Sequence, residues 1–233
     1  MKDVSIVVLV LAVLVMGGYL ISGRTSKTET KEAMVADTKV ASAATVNGTV
    51  IPKDLFDTQL AAAITSYKAQ GVDVADATKL AGIKTEVLDN LTNNELVNQG
   101  VVAAGIKASP EEVEKQFQAI ITQAGGADKF KEELVKSNLT EEKLRENIAK
   151  QIATQTYLLQ NIDTKSIIVT DAEIAAFYAE YSKQQTTAGV KTIPTLKDLS
   201  AQIKQQITVN KQQAMVKTFV DSLRAKAKIE TTI

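Results

Sequence analysis

Three pairs of adjacent glutamates, Glu111-Glu112, Glu132-Glu133 and Glu141-Glu142, are the side chains here whose type could carry acid–base chemistry. General acid–base work needs two carboxylates aimed at one reacting group. Adjacent residues on a helix do not face each other. Each pair also falls in a first turn or on a polar face, where a carboxylate complements the helix dipole. Asp171 and Glu173 have the same explanation, because Thr170-Asp171-Ala172-Glu173 reads as a capping box. The chain has no Cys and no His. It therefore lacks any disulfide, thiolate nucleophile or Cys-ligated zinc, and it lacks the commonest general base and metal ligand. Only carboxylate, Lys and Tyr chemistry is left, and no enzyme activity is expected.

Bulk composition narrows the classes further. The chain has 233 residues, 45% of them apolar, enough for one sizeable domain or two small ones. Lys+Arg and Asp+Glu both number 27, so the formal charge is zero and a nucleic-acid partner is not expected. Arg24, Arg145 and Arg224 are the only arginines, which disfavours bidentate phosphate or carboxylate clamps. No EF-hand spacing, phosphate loop or dinucleotide fingerprint occurs, so neither a cofactor nor a metal is expected. Asn47-Gly48-Thr49, Asn90-Leu91-Thr92 and Asn138-Leu139-Thr140 match the glycosylation sequon, but a turn, a helix and a cap account for them.

Residues 4–21, VSIVVLVLAVLVMGGYLI, carry no charge over about eighteen residues, the short end of a membrane span. Val15-Met16-Gly17 matches a signal cleavage site poorly, so an uncleaved signal anchor over residues 1–23 is expected. A cleaved secreted form is the alternative. Lys2 precedes the span while Arg24, Lys27 and Lys31 follow it, so the charge rule alone would place the following chain in the cytoplasm. Residues 24–43 are polar and aperiodic and read as a flexible tether.

The folded part reads as mainly helical. Asn47-Gly48 between β-branched runs signals a tight hairpin over 44–51, and Pro52 opens a helix carrying Phe56, Leu60 and Ile64. A second helix is expected over 76–104, closed by Gly105. Ser109-Pro110-Glu111-Glu112 starts a third, ended by Gly125-Gly126, and a short fourth spans 127–136. Thr140 caps a fifth, with Leu139 and Leu144 as its staple, running to about residue 160. Thr170 caps a sixth with Ile174, Phe177, Tyr178 and Tyr181. The pattern then stops, residues 182–194 read as a linker, and a long helix over 195–226 follows. Residues 227–233 alternate as a strand and are expected to pair with 44–51, because a lone hairpin is marginal.

This order of parts resembles the N-terminal chaperone domain of the SurA/PrsA family of extracytoplasmic folding factors. The residues that carry the resemblance are Val46-Asn47-Gly48-Thr49-Val50-Ile51 with Phe56, and the 88–104 helix ending at Gly105-Ile106. Ser109-Pro110-Glu111-Glu112-Val113, Leu139-Thr140-Glu141-Glu142 with Leu144, and Ile168-Val169-Thr170-Asp171-Ala172-Glu173-Ile174 with Tyr178 complete it. The similarity covers residues 44–233. It implies a SurA N-terminal-like helical domain over 44–181, a linker over 182–194, and a returning helix and strand over 195–233. In the family a parvulin-type prolyl isomerase domain of roughly a hundred residues often occupies the place of that linker. The linker is too short for an independent core, and the family's catalytic histidines have no counterpart here.

The resemblance implies a membrane-anchored holdase outside the cytoplasm, binding unfolded or exported polypeptides and lacking isomerase activity. A tethered interaction scaffold is the alternative, and a prolyl isomerase the less favoured one. Client contact is assigned to the aromatic residues Tyr178, Tyr181, Phe177, Tyr157 and Phe117, which could line an apolar cleft. The same residues sit on helical stripes, so a core role competes with that reading.

Overall fold

A computed structural model describes residues 41–233. Among these residues the chain forms two compact units, one of residues 41–157 with 220–233, the other of 158–219. The divisions fall at 157/158 and 219/220. Both lie inside long helices, and a helix's apolar period does not mark which core each turn enters. The expected anchor at 4–21 lies outside the described residues. No helix among the described residues is long and apolar enough to cross a membrane.

The larger unit opens with strands β1 (Ser42–Val46) and β2 (Thr49–Pro52) and ends with β3 (Ile229–Thr231). The three form an antiparallel sheet in the order β2-β1-β3, with Val46 opposite both Thr49 and Ile229. The turn between β1 and β2 holds Asn47 at φ 51° and Gly48 at φ 86°, the left-handed pair that a two-residue hairpin requires. Asn47 also ties the turn to distant parts of the unit. Its N–H donates to the Lys228 carbonyl (2.8 Å), its Oδ1 accepts from the Lys228 N–H (2.8 Å), and its Nδ2 donates to Gln99 Oε1 (2.8 Å). An irregularity in the register between Ser42 and Ala44 lets both Ala43 and Ala44 be fully buried.

Helices α1 (Lys53–Ala69) and α2 (Ala77–Ala103) pack on each other and on β1. Phe56 of α1, Ile83, Val87, Leu91 and Leu96 of α2, and Val46 and Ile51 of the sheet form one core. Asp76 caps α2 by accepting from the N–H groups of Thr78 and Lys79. Helices α3 (Pro110–Gln123), α4 (Ala127–Lys136) and α5 (Glu141–Asn161) gather around a second core of Phe117, Phe130, Ile148 and Ile152. The capping box expected at Ser109 and Glu112 is formed. Asn138 takes a left-handed conformation at φ 48° after α4, and Thr140 Oγ1 accepts from the Lys143 N–H at the start of α5. Tyr157 of α5 lies directly against Gly100 of α2.

The smaller unit holds α6 (Asp171–Thr187) and most of α7 (Leu196–Arg224). Its core is Ile174 of α6 with Ile203 and Ile207 of α7, flanked by Val169, Tyr178, Leu196 and Leu199. Helix α6 runs on to Thr187, well past the boundary at 181 drawn from sequence, so residues 188–195 alone connect it to α7. Residues 182–187 are Ser-Lys-Gln-Gln-Thr-Thr and present no apolar stripe to read. The Gly189 backbone, at φ 78°, ends the helix.

The last turn of α7 returns to the larger unit, where Arg224 reaches α2. Its Nη2 meets Asp89 Oδ1 at 2.6 Å, and its Nη1 donates to Asn93 Oδ1 (3.2 Å) and Thr92 Oγ1 (3.3 Å). Thr92 itself is 1% exposed. The ion pair is open to solvent at its edge, which screens it. Replacing Arg224 by Met keeps the apolar stem and removes the three donors. The expected loss is about 1 kcal/mol, because the hydrogen bonds to partly buried acceptors are the part that water cannot replace fully. Urea unfolding of the two forms measures it.

Candidate functional site

The carboxylates first considered for chemistry are all placed in structural roles or on the surface. Glu112 completes its capping box, Glu133 pairs with Lys136 (2.9 Å), and Glu141 lies 3.9 Å from Arg145. Glu111, Glu132 and Glu142 are exposed. Among the described residues no group of three or more His, Cys, Asp or Glu is arranged to hold a metal ion.

The five aromatic residues assigned to client contact do not share one environment. Phe117 and Tyr157 belong to the larger unit and are 2% and 8% exposed. Phe117 packs edge-to-face on Phe130 at 5.4 Å between ring centroids, with the Arg145 guanidinium 3.3 Å from its own centroid. The stripe positions of Phe117 and Tyr157 therefore point into the core. The other three lie together on α6: Phe177 is 37% exposed, and Tyr178 and Tyr181 are half-buried. The Tyr178 and Tyr181 rings are 6.5 Å apart at centroid and tilted by 38°.

Helix α6 is fixed at its start. Thr170 Oγ1 accepts from the Glu173 N–H (3.3 Å), and Glu173 Oε2 accepts from the Thr170 N–H (2.9 Å). Lys211 of α7 donates to Glu173 Oε1 and to the Ile168 carbonyl, both at 2.6 Å. The Lys211 ammonium, followed by the Thr170 backbone N–H, holds the Glu173 carboxyl below the ordinary glutamate range. Helix α7 starts in a matching way. Thr195 Oγ1 accepts from the Asp198 N–H, and Asp198 Oδ2 accepts from the Thr195 hydroxyl (2.6 Å) and N–H (3.1 Å). Those two bonds lower the Asp198 carboxyl, and the Ser109 N–H, then the Ser109 hydroxyl, lower that of Glu112.

A carboxylate whose folded pKa is depressed stabilises the fold at every pH above its unfolded range, and that contribution disappears as pH falls through the folded value. The starts of α3, α6 and α7 are thus expected to hold unchanged from neutral pH down to the ordinary carboxylate range. They should loosen only as pH falls below it. Thermal unfolding followed against pH tests this, and Glu173→Gln should flatten part of the acid limb.

The tertiary structure supplies two features of this region that the sequence did not mark. The Tyr178 hydroxyl donates to the Pro194 carbonyl at 2.9 Å, a contact between residues sixteen apart in sequence. Ile168 and Val190 are exposed, at 73% and 42%. Ile168 stands in the apolar run Ile167-Ile168-Val169, which does not show which of its members is exposed, and Val190 follows the helix-ending glycine. The smaller unit thus combines a buried core of Ile174, Ile203 and Ile207 with exposed apolar side chains at Ile168, Phe177 and Val190.

No curated protein matches this sequence. The SurA-like N-terminal domain matches it over residues 2–157, two thirds of the chain, ending at the residue where the first segment of the larger unit ends. The hairpin at Asn47-Gly48, helices α1 to α5 and their caps fall within that span. The chain belongs to the SurA-like N-terminal domain family, a chaperone-like family.

Proposed function

We propose that this protein is a membrane-anchored holdase acting outside the cytoplasm, binding unfolded or exported polypeptides without an isomerase domain. The observation that carries the reading is the exposure of Phe177 on α6 beside half-buried Tyr178 and Tyr181. Exposed aromatic surface on a fixed helix can take up an apolar segment at about 25 cal/mol per Å² removed from water. Association and ordering costs offset much of that gain, so binding is weak and exchange is fast. A holdase needs this, since it delays aggregation by engaging the unfolded state and must then let go. The connector 188–195 leaves no room for an inserted catalytic core. The uncharged run at 4–21 supplies the anchor in this reading, and family membership supports placement outside the cytoplasm.

The test uses the full chain in lipid nanodiscs, added to a chemically denatured client that aggregates on dilution. Suppression at stoichiometric excess, with none from empty nanodiscs, is expected. A Phe177→Ser and Tyr181→Ser double variant that keeps its thermal midpoint should suppress less. Equal aggregation with and without the protein overturns the reading. Saturable binding to a single folded partner, with no client effect, would make the protein a tethered scaffold instead.

A further inference from the structure

The connector between α6 and α7 meets the aromatic group at Tyr178, through its main chain. Its start is tied down by the α6 terminus, where the Gly189 N–H donates to the Thr186 carbonyl and the Val190 N–H to the Gln185 carbonyl. Its end is tied down by the Thr195–Asp198 cap and by Leu196 in the core. Between these anchors Lys191, Thr192 and Ile193 belong to no helix or strand. The segment reaches Tyr178, whose hydroxyl donates one hydrogen bond to the Pro194 main-chain carbonyl.

Tyr178 is well built for that task. Its ring packs against the Ile174, Ile203 and Ile207 core, so the hydroxyl is held in place. A hydroxyl donor aimed at a main-chain carbonyl reads backbone and not side chain, and the neighbouring Phe177 and Tyr181 offer apolar surface without a shaped pocket. These are the requirements for holding an extended polypeptide of varied sequence. Resting on the client-binding reading above, we propose that the connector is a built-in pseudo-client: Ile193-Pro194 occupies a place on Tyr178 that an extended apolar-Pro segment of an unfolded polypeptide takes during binding.

The connector is joined to its site, so its effective concentration there is high and a free peptide binds only to the fraction of molecules in which it has lifted. One solvent-exposed hydrogen bond is a weak latch. The seated form then exceeds the lifted form by about fivefold, and loosening the connector should tighten peptide binding by about the same factor.

The experiment measures anisotropy of a labelled peptide with the sequence of residues 190–196 against the full chain in nanodiscs. Three forms are compared: the native protein, Ile193→Gly with Pro194→Gly, and that double variant carrying Tyr178→Phe as well. A photoreactive version of the peptide maps where it lands. The expected result is about fivefold tighter binding by the Gly-Gly form, crosslinks on residues 171–187, and loss of the gain with Tyr178→Phe. Equal affinity in native and Gly-Gly forms, or crosslinks elsewhere, overturns the pseudo-client while leaving client binding intact. No binding of this peptide or of a denatured client by any form overturns the client-binding reading itself, and the inference with it.

Discussion

Gly100→Ala is expected to destabilise the larger unit by about 2 kcal/mol, although helix propensity alone predicts the opposite sign. Gly100 sits inside α2, where exchanging Gly for Ala removes a backbone entropy cost and should stabilise by roughly 0.5–1 kcal/mol. The Tyr157 ring of α5 occupies the space a methyl group would need, with Tyr157 Cε1 at 2.7 Å from the added carbon and the hydroxyl and Cζ nearer still. Both residues lie well inside helices, and Tyr157 is 8% exposed, so neither can move aside without repacking. Overpacking of this kind costs about 1–3 kcal/mol, occasionally more, which outweighs the propensity gain. Urea unfolding at constant m-value is the measurement. Adding Tyr157→Leu should return part of the loss, because the two sites are in contact and their effects are not additive. A higher unfolding midpoint for Gly100→Ala would show that the two helices do not meet there.

Phe117→Ala is expected to cost about 3–5 kcal/mol, the range for emptying a buried aromatic site. The side chain is 2% exposed, and its loss would leave Phe130 without its edge-to-face partner and Arg145 without the ring beneath its guanidinium. Phe117→Leu keeps most of the volume and should cost markedly less. The result separates two roles. A core residue lowers stability and leaves peptide affinity intact wherever the variant remains folded. A client contact does the reverse, as expected for Phe177, whose substitution should change client binding with little change in midpoint. Thermal unfolding and peptide anisotropy on the same samples make that comparison.

The two predictions also mark where sequence patterns stop being informative. Phe117, Tyr157 and Phe177 all occur in helical segments among apolar neighbours, yet one set is buried and Phe177 is not. Periodicity states that a face is apolar but not what covers it. The extent of α6 was missed for a related reason: residues 182–187 are polar throughout, and a helix without an apolar stripe leaves no period to detect. The capping boxes at Ser109 and Thr170 were legible because both partners lie within four residues.

The sequence by itself determined the helix starts, the Asn47-Gly48 turn, the glycine stops and the closing of the last strand onto the first. Each of the first three is set by hydrogen bonds or backbone torsions spanning a few residues. The strand pairing follows from the marginal stability of a lone hairpin. Only the tertiary structure decided that Phe117 and Tyr157 are core, that Gly100 must stay a glycine, that Arg224 reaches Asp89, and that Tyr178 holds the connector at Pro194. Burial and contact between residues distant in sequence depend on how helices are brought together, and no local pattern records that.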